Sequence, residues 1–189
     1  MKTSSLIPAV LVVSLAVVGL TGCQASTPAT GSSKAGSAST TQQVLPVNSN
    51  PITNTSTAPG LTIVSAAVQD NVDPVTKASI ADRLQITVRN DTAAALSSFE
   101  VYYVMKDVTT GMSEAYYQAL TGFSVPAKSE ATISFDGETG AGHYPENTFS
   151  IYRSSKNQVD FSIEVSAAGV KVAQGTATKA AGTGEVAGG

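Results

Sequence analysis

Val159-Asp160-Phe161-Ser162-Ile163-Glu164-Val165-Ser166 alternates apolar and polar side chains without a break. Neighbouring side chains of a β-strand point to opposite faces. Val159, Phe161, Ile163 and Val165 therefore form one dry face, and the residues between them a wet one. The same period runs through Leu84, Ile86 and Val88, interleaved with Gln85, Thr87 and Arg89. Shorter versions stand at Ile133 with Phe135 and at Phe149 with Ile151. Leu61-Thr62-Ile63-Val64 opens this region, and Val170 with Val172 closes it after a turn at Ala168-Gly169.

Turn-forming residues separate the runs at the spacing of a sandwich. Arg89-Asn90-Asp91-Thr92 ends one strand and Asp107 to Gly111 the next. Val125-Pro126-Ala127-Lys128 precedes another, and Ser154-Ser155-Lys156-Asn157 has the composition of a hairpin loop. No long segment carries helical spacing with caps. The reading is all-β: an antiparallel sandwich of seven to eight strands, with an eight-stranded barrel as runner-up. A strand ending in Asn90, a Phe/Tyr-rich strand and a proline turn before Ala131-Thr132-Ile133-Ser134-Phe135 resemble the small immunoglobulin-like modules of bacterial surface lipoproteins. That resemblance spans most of residues 61–175 and implies an immunoglobulin-like sandwich. The chain has no tryptophan, so the Cys–Trp–Cys core of antibody domains is absent.

Outside this region the composition changes. Residues 1–22 divide as a secretory signal does, with Lys2 ahead of an apolar core from Leu6 to Leu20 and small residues at Thr21 and Gly22. The apolar run is short for a spanning helix, which needs roughly 20 residues. Leu20-Thr21-Gly22-Cys23 resembles the lipobox of bacterial lipoproteins. The resemblance implies a signal helix removed before Cys23 and acyl chains on the Cys23 thiol, as palmitate or a similar lipid. Cys23 is the chain's only cysteine, so lipidation accounts for it and leaves the domain without a disulfide. Residues 23–60 are rich in Ser, Thr, Pro and Ala, with Lys34 as the only charge. They are expected to be a flexible tether of about 30–35 Å root-mean-square reach. The domain is assigned to 61–175, and residues 176–189 to a disordered tail.

The search for chemistry is largely negative. The formal charge is −3, and about −4 without Lys2, which argues against nucleic acid and against a basic grip on anionic headgroups. No Gly-x-Ser-x-Gly elbow accompanies the single histidine, His143. Asp136, Glu138, His143 and Glu146 crowd into one glycine-rich connection, but their spacing is not that of an EF-hand, and no metal is assigned. Asp70, Asp73 and Asp82 form a sparser acidic group. Four of the six tyrosines come as adjacent pairs, Tyr102-Tyr103 and Tyr116-Tyr117. With Tyr103 and Tyr117 turned inward, Tyr102 and Tyr116 would share the outer face and offer stiff contact area with polar tips. The sequence therefore predicts a lipid-anchored, extracytoplasmic binding module of the cell envelope, not an enzyme and without a cofactor. Its face would comprise Tyr102, Tyr116, His143 and Tyr144. Its partners would be the bilayer, through acylated Cys23, and another envelope protein, with no nucleic acid. A structural spacer and a metal-dependent envelope enzyme are the rival readings.

Overall fold

The computed structural model describes residues 44–72 and 79–182, with side chains from 69 to 83 left aside. Cys23, the signal segment, the tether up to residue 43, the tail from residue 183 and the Asp70–Asp82 acidic group lie outside the described residues or side chains. Among the described residues there are eight strands and one helical turn: β1 (Leu61–Val72), β2 (Ser79–Asn90), β3 (Phe99–Asp107), β4 (Ser113–Leu120), β5 (Glu130–Phe135), β6 (His143–Tyr144), α1 (Ile151–Ser154), β7 (Val159–Ser166) and β8 (Ala173–Lys179). They form two four-stranded sheets, ordered β1-β2-β5-β6 and β4-β3-β7-β8. Every pairing is antiparallel except β5 with the short β6. The protein is all-β and sandwich-like. Among the described residues no helix is long and apolar enough to cross a membrane.

The core lies between the inner faces of the sheets. Leu84, Ile86 and Val88 of β2 and Ile133 and Phe135 of β5 are buried, as are Phe99, Val101, Tyr103 and Met105 of β3. Val159, Phe161, Ile163 and Val165 of β7 are also buried, as their alternation predicts. At about 25 cal/mol per Å² of apolar surface, these interdigitated side chains are the main source of stability.

Three boundaries differ from the sequence reading. Phe149 and Ile151 do not make a strand. Asn147 Oδ1 accepts the Phe149 N–H at 2.9 Å, turning the chain into α1, where Ile151 and Tyr152 are both buried and Phe149 is exposed. β8 runs four residues past the expected end at Gly175, and Thr176–Lys179 pair with β7. Its small residues suit a tight place, since a Cβ on Gly175 would stand 3.1 Å from the Ile63 side chain of β1.

Residues 44–60, expected in the tether, instead form an extended strap against the domain. The Val47 N–H donates to Ala115 O of β4 at 2.8 Å, and Asn50 Nδ2 donates to Glu164 of β7 at 2.7 Å. Asn54 Nδ2 is shared among Ser166 Oγ (3.1 Å), Ala167 O (3.1 Å) and Val170 O (2.9 Å). Beyond Val44-Leu45-Pro46-Val47 and Ile52 the strap is small or polar, and it lacks period two, so local sequence does not announce it.

Candidate functional site

Thr121-Gly122-Phe123-Ser124 links β4 to the proline turn before β5. Gly122 takes φ +80, a left-handed conformation that costs glycine little. The turn places the Phe123 ring edge-on to Phe99, 5.1 Å between centroids, and 6.4 Å from Tyr144. A cleft opens on each side of this segment. One, of about 550 Å³, is walled by Phe123, Ser124, Thr132, Gly142, His143 and Tyr144 among others. The other, of about 570 Å³, has Phe99 and Leu120 in its floor and Ser98 and Glu100 at its rim. Ser98 is a non-glycine residue at φ +54, the kind of backbone strain that gathers at ligand sites.

His143 and Tyr144 are brought to the first cleft by β6. Ser134 N–H donates to Gly142 O at 2.8 Å, and Asp136 N–H to Tyr144 O at 3.2 Å, which pins the loop 136–144 at both ends. Gly142, at φ +85, allows the approach, because a Cβ there would lie 2.8 Å from Thr132 O. His143 Nδ1 sits 2.9 Å from Asp136 Oδ2 and 3.2 Å from Oδ1. The Asp136 side chain is 1% exposed and the His143 side chain 32%. Burial raises the phenol pKa of Tyr144. Of the four residues crowded in this loop, Glu146 is separate: it is held by Arg153 of α1.

The tyrosines divide differently from the expectation. Tyr102 does face outward, half-buried beside Val104. Tyr116 does not: it is 1% exposed and stacks on Tyr103 at 5.5 Å. The register aligns Tyr103 with Tyr116 and Tyr102 with Tyr117, and residues directly opposite share a face. The inner set of β4 is therefore Glu114, Tyr116, Gln118 and Leu120. Glu114 accepts the Tyr116 hydroxyl at 2.8 Å and the Ile151 N–H at 3.1 Å, while Asn147 donates to the Tyr116 oxygen at 2.9 Å. Desolvation and the Glu114 hydrogen bond together hold the Tyr116 phenol well above its ordinary pKa. On the outer face the partner of Tyr102 is Tyr117, whose hydroxyl donates to Glu100 at 2.6 Å. That bond, with some desolvation, pushes the phenol up to about 12. The outer face is also less open than expected, since Tyr102 and Val104 share a hollow of about 380 Å³ with Pro46, Val47 and Asn48 of the strap.

The structure thus joins His143 and Tyr144 in one wall, separates both from Tyr102, and removes Tyr116 from the surface. Phe123 and Thr132 are the site residues the sequence did not single out, whereas Asp136 already stood among the crowded acids of its loop. Only the Thr-Gly-Phe turn at 121–123 carries a local signal for either of the two.

No known protein family matches the sequence, and no curated protein does either. Among solved structures, the chain is similar to the alkylpurine DNA glycosylase AlkC of Pseudomonas fluorescens bound to DNA containing an abasic site analog. The two are 18% identical with a TM-score of 0.31, over 63% of this chain and 30% of the glycosylase chain. The chain thus spans less than a third of that protein's length. This corrects the expected partners: a bilayer, an envelope protein and no nucleic acid gain no support from a neighbour that is bound to DNA. At such a TM-score the likeness carries no argument for DNA either, and the exclusion of nucleic acid is withdrawn without a substitute.

Proposed function

We propose that the chain is a lipoprotein, acylated at Cys23 and displayed on the extracytoplasmic side of the membrane, whose β-sandwich works by binding and not by catalysis. The paired clefts around Thr121–Ser124, of about 550 and 570 Å³, carry the binding reading. Their size is that of small-ligand sites, and their mixture of aromatic walls with a few fixed polar groups is what such sites use. Support for the immunoglobulin-like type comes from the sheet orders. β1-β2-β5 correspond to strands A, B and E, and β4-β3-β7-β8 to C′, C, F and G.

A fragment screen on the isotope-labelled full chain in detergent tests the binding reading by amide chemical shifts. Ligands are expected to move the signals of 121–124 and 140–144 together, with Tyr144→Ala weakening them at least about tenfold, a loss of about 1.4 kcal/mol. No binder, or binders that cluster elsewhere, would leave the spacer reading in its place. Palmitate labelling of cells expressing the wild type and Cys23→Ala tests the anchor. The label and membrane retention are expected only for the wild type, and equal labelling of both would overturn the anchor.

A further inference from the structure

Asp136 directly follows β5, Glu138 comes after Gly137 in a tight turn, and His143 of β6 returns beside Ser134 of β5. Gly137 takes φ +71, and the Glu138 N–H donates to Asp136 Oδ1 at 3.0 Å, so the turn folds the two carboxylates toward the same side. His143 Nδ1 lies 2.9 Å from Asp136 Oδ2 and 3.8 Å from Glu138 Oε2, and one ligand atom from each of the three falls within 4.8 Å of the others. Ligand atoms around one zinc, each at about 2.0–2.2 Å from it, stand about 3.3–3.5 Å apart in a tetrahedron. The observed separations bracket that range.

Only one acid of the set is solvated, the exposed Glu138; Asp136 is buried and His143 lies between. The Asp136 side chain is 1% exposed, and a carboxylate so buried needs a cation or a strong donor facing it. What faces its Oδ2 is an imidazole nitrogen, itself a metal ligand. We propose that Asp136, Glu138 and His143 form a binding site for a divalent transition metal, zinc in the first instance. Both carboxylates and Nδ1 supply the ligands, and the fourth position is left to solvent. On binding, the imidazole proton shifts to Nε2, and the metal takes the place of the hydrogen bond between Nδ1 and Asp136. The nitrogen ligand favours zinc over calcium or magnesium, which take oxygen ligands and, for calcium, six to eight of them. Asp136 and His143 flank two paired strands pinned by backbone hydrogen bonds, so only the exposed Glu138 in the turn between them needs ordering. The inference stands apart from whatever the neighbouring cleft holds.

The test is isothermal titration of zinc into the untagged, metal-stripped full chain in detergent. Cys23→Ser serves as background, since a free thiol would itself take zinc. Cobalt absorption reports the geometry. One zinc per chain is expected, with visible cobalt bands of a low-coordinate site and with calcium and magnesium failing to compete. His143→Ala and Glu138→Ala are each expected to weaken binding at least about tenfold. The exposed Glu138 makes its variant a fair test even if the histidine variant unfolds. Absence of saturable zinc binding, binding unchanged in both variants, or calcium displacing zinc would overturn the site.

Discussion

Single side chains with several bonds fix the places where the strands turn. Asp107 closes β3 by accepting the N–H groups of Thr109 at 2.9 Å and Thr110 at 2.8 Å. It also accepts Ser155 Oγ at 2.6 Å and Asn157 Nδ2 at 2.9 Å, from the connection leading into β7. The Ser155 hydroxyl most of all, then the Thr110 amide and Asn157, hold its carboxyl well below the usual carboxylate range. A carboxylate with a depressed folded-state pKa contributes stability that is complete above its unfolded pKa, about 4. That contribution is lost as pH falls below this value toward the folded one. Asp107→Asn is therefore expected to flatten the acid limb of a plot of urea midpoint against pH below about pH 4. An unchanged acid limb would place the carboxylate's bonds outside the stability balance.

At the scale of elements, the strap shows a segment whose order comes from partners and not from its own pattern. Asn54→Ala removes three acceptors' worth of contact at one point and is expected to cost about 1–3 kcal/mol. Amide exchange should accelerate in residues 50–56 far more than in β3 or β7 if the strap peels as a unit. Uniform acceleration would instead mean that the strap and sandwich unfold together. The strap and β8 were illegible for one reason: most of their residues are small or polar, and burial comes from what lies opposite them. β4 misled in another way. Ala115-Tyr116-Tyr117-Gln118-Ala119 supports either phase, and the choice depends on Glu114, an acid that the inner face accommodates only because Tyr116 and Ile151 bond to it. β7 and the Leu84–Arg89 stretch of β2, with strict alternation, were legible, whereas the earlier residues of β2 from Ser79 were not.

Across the whole molecule, the all-β class and the buried stripes of β2, β3 and β7 follow from period two alone. The clefts do not, because Phe99, Phe123, Thr132 and Tyr144 are scattered through the sequence and meet only when the two sheets are stacked. The closing of the sandwich likewise depends on a distant pair, Gly175 of β8 against Ile63 of β1. Gly175→Val is expected to destabilise by about 1–3 kcal/mol through overpacking, measured by urea denaturation. Ile63→Ala in the same chain should recover part of that loss, since contacting sites are not additive. A purely additive pair would move the cause elsewhere.

The strap also decides how the molecule meets a pull from its N-terminal side. Tension arriving through the residues before 44 reaches Val47, then Asn50, then Asn54, one set of bonds after another, before it loads any strand of the sandwich. Bonds met in series yield singly, whereas the paired ladders of β3 and β7 share a load across many bonds at once. Under such a pull the strap is expected to give way before the paired strands and to uncover the face around Tyr102, while the sandwich stays folded.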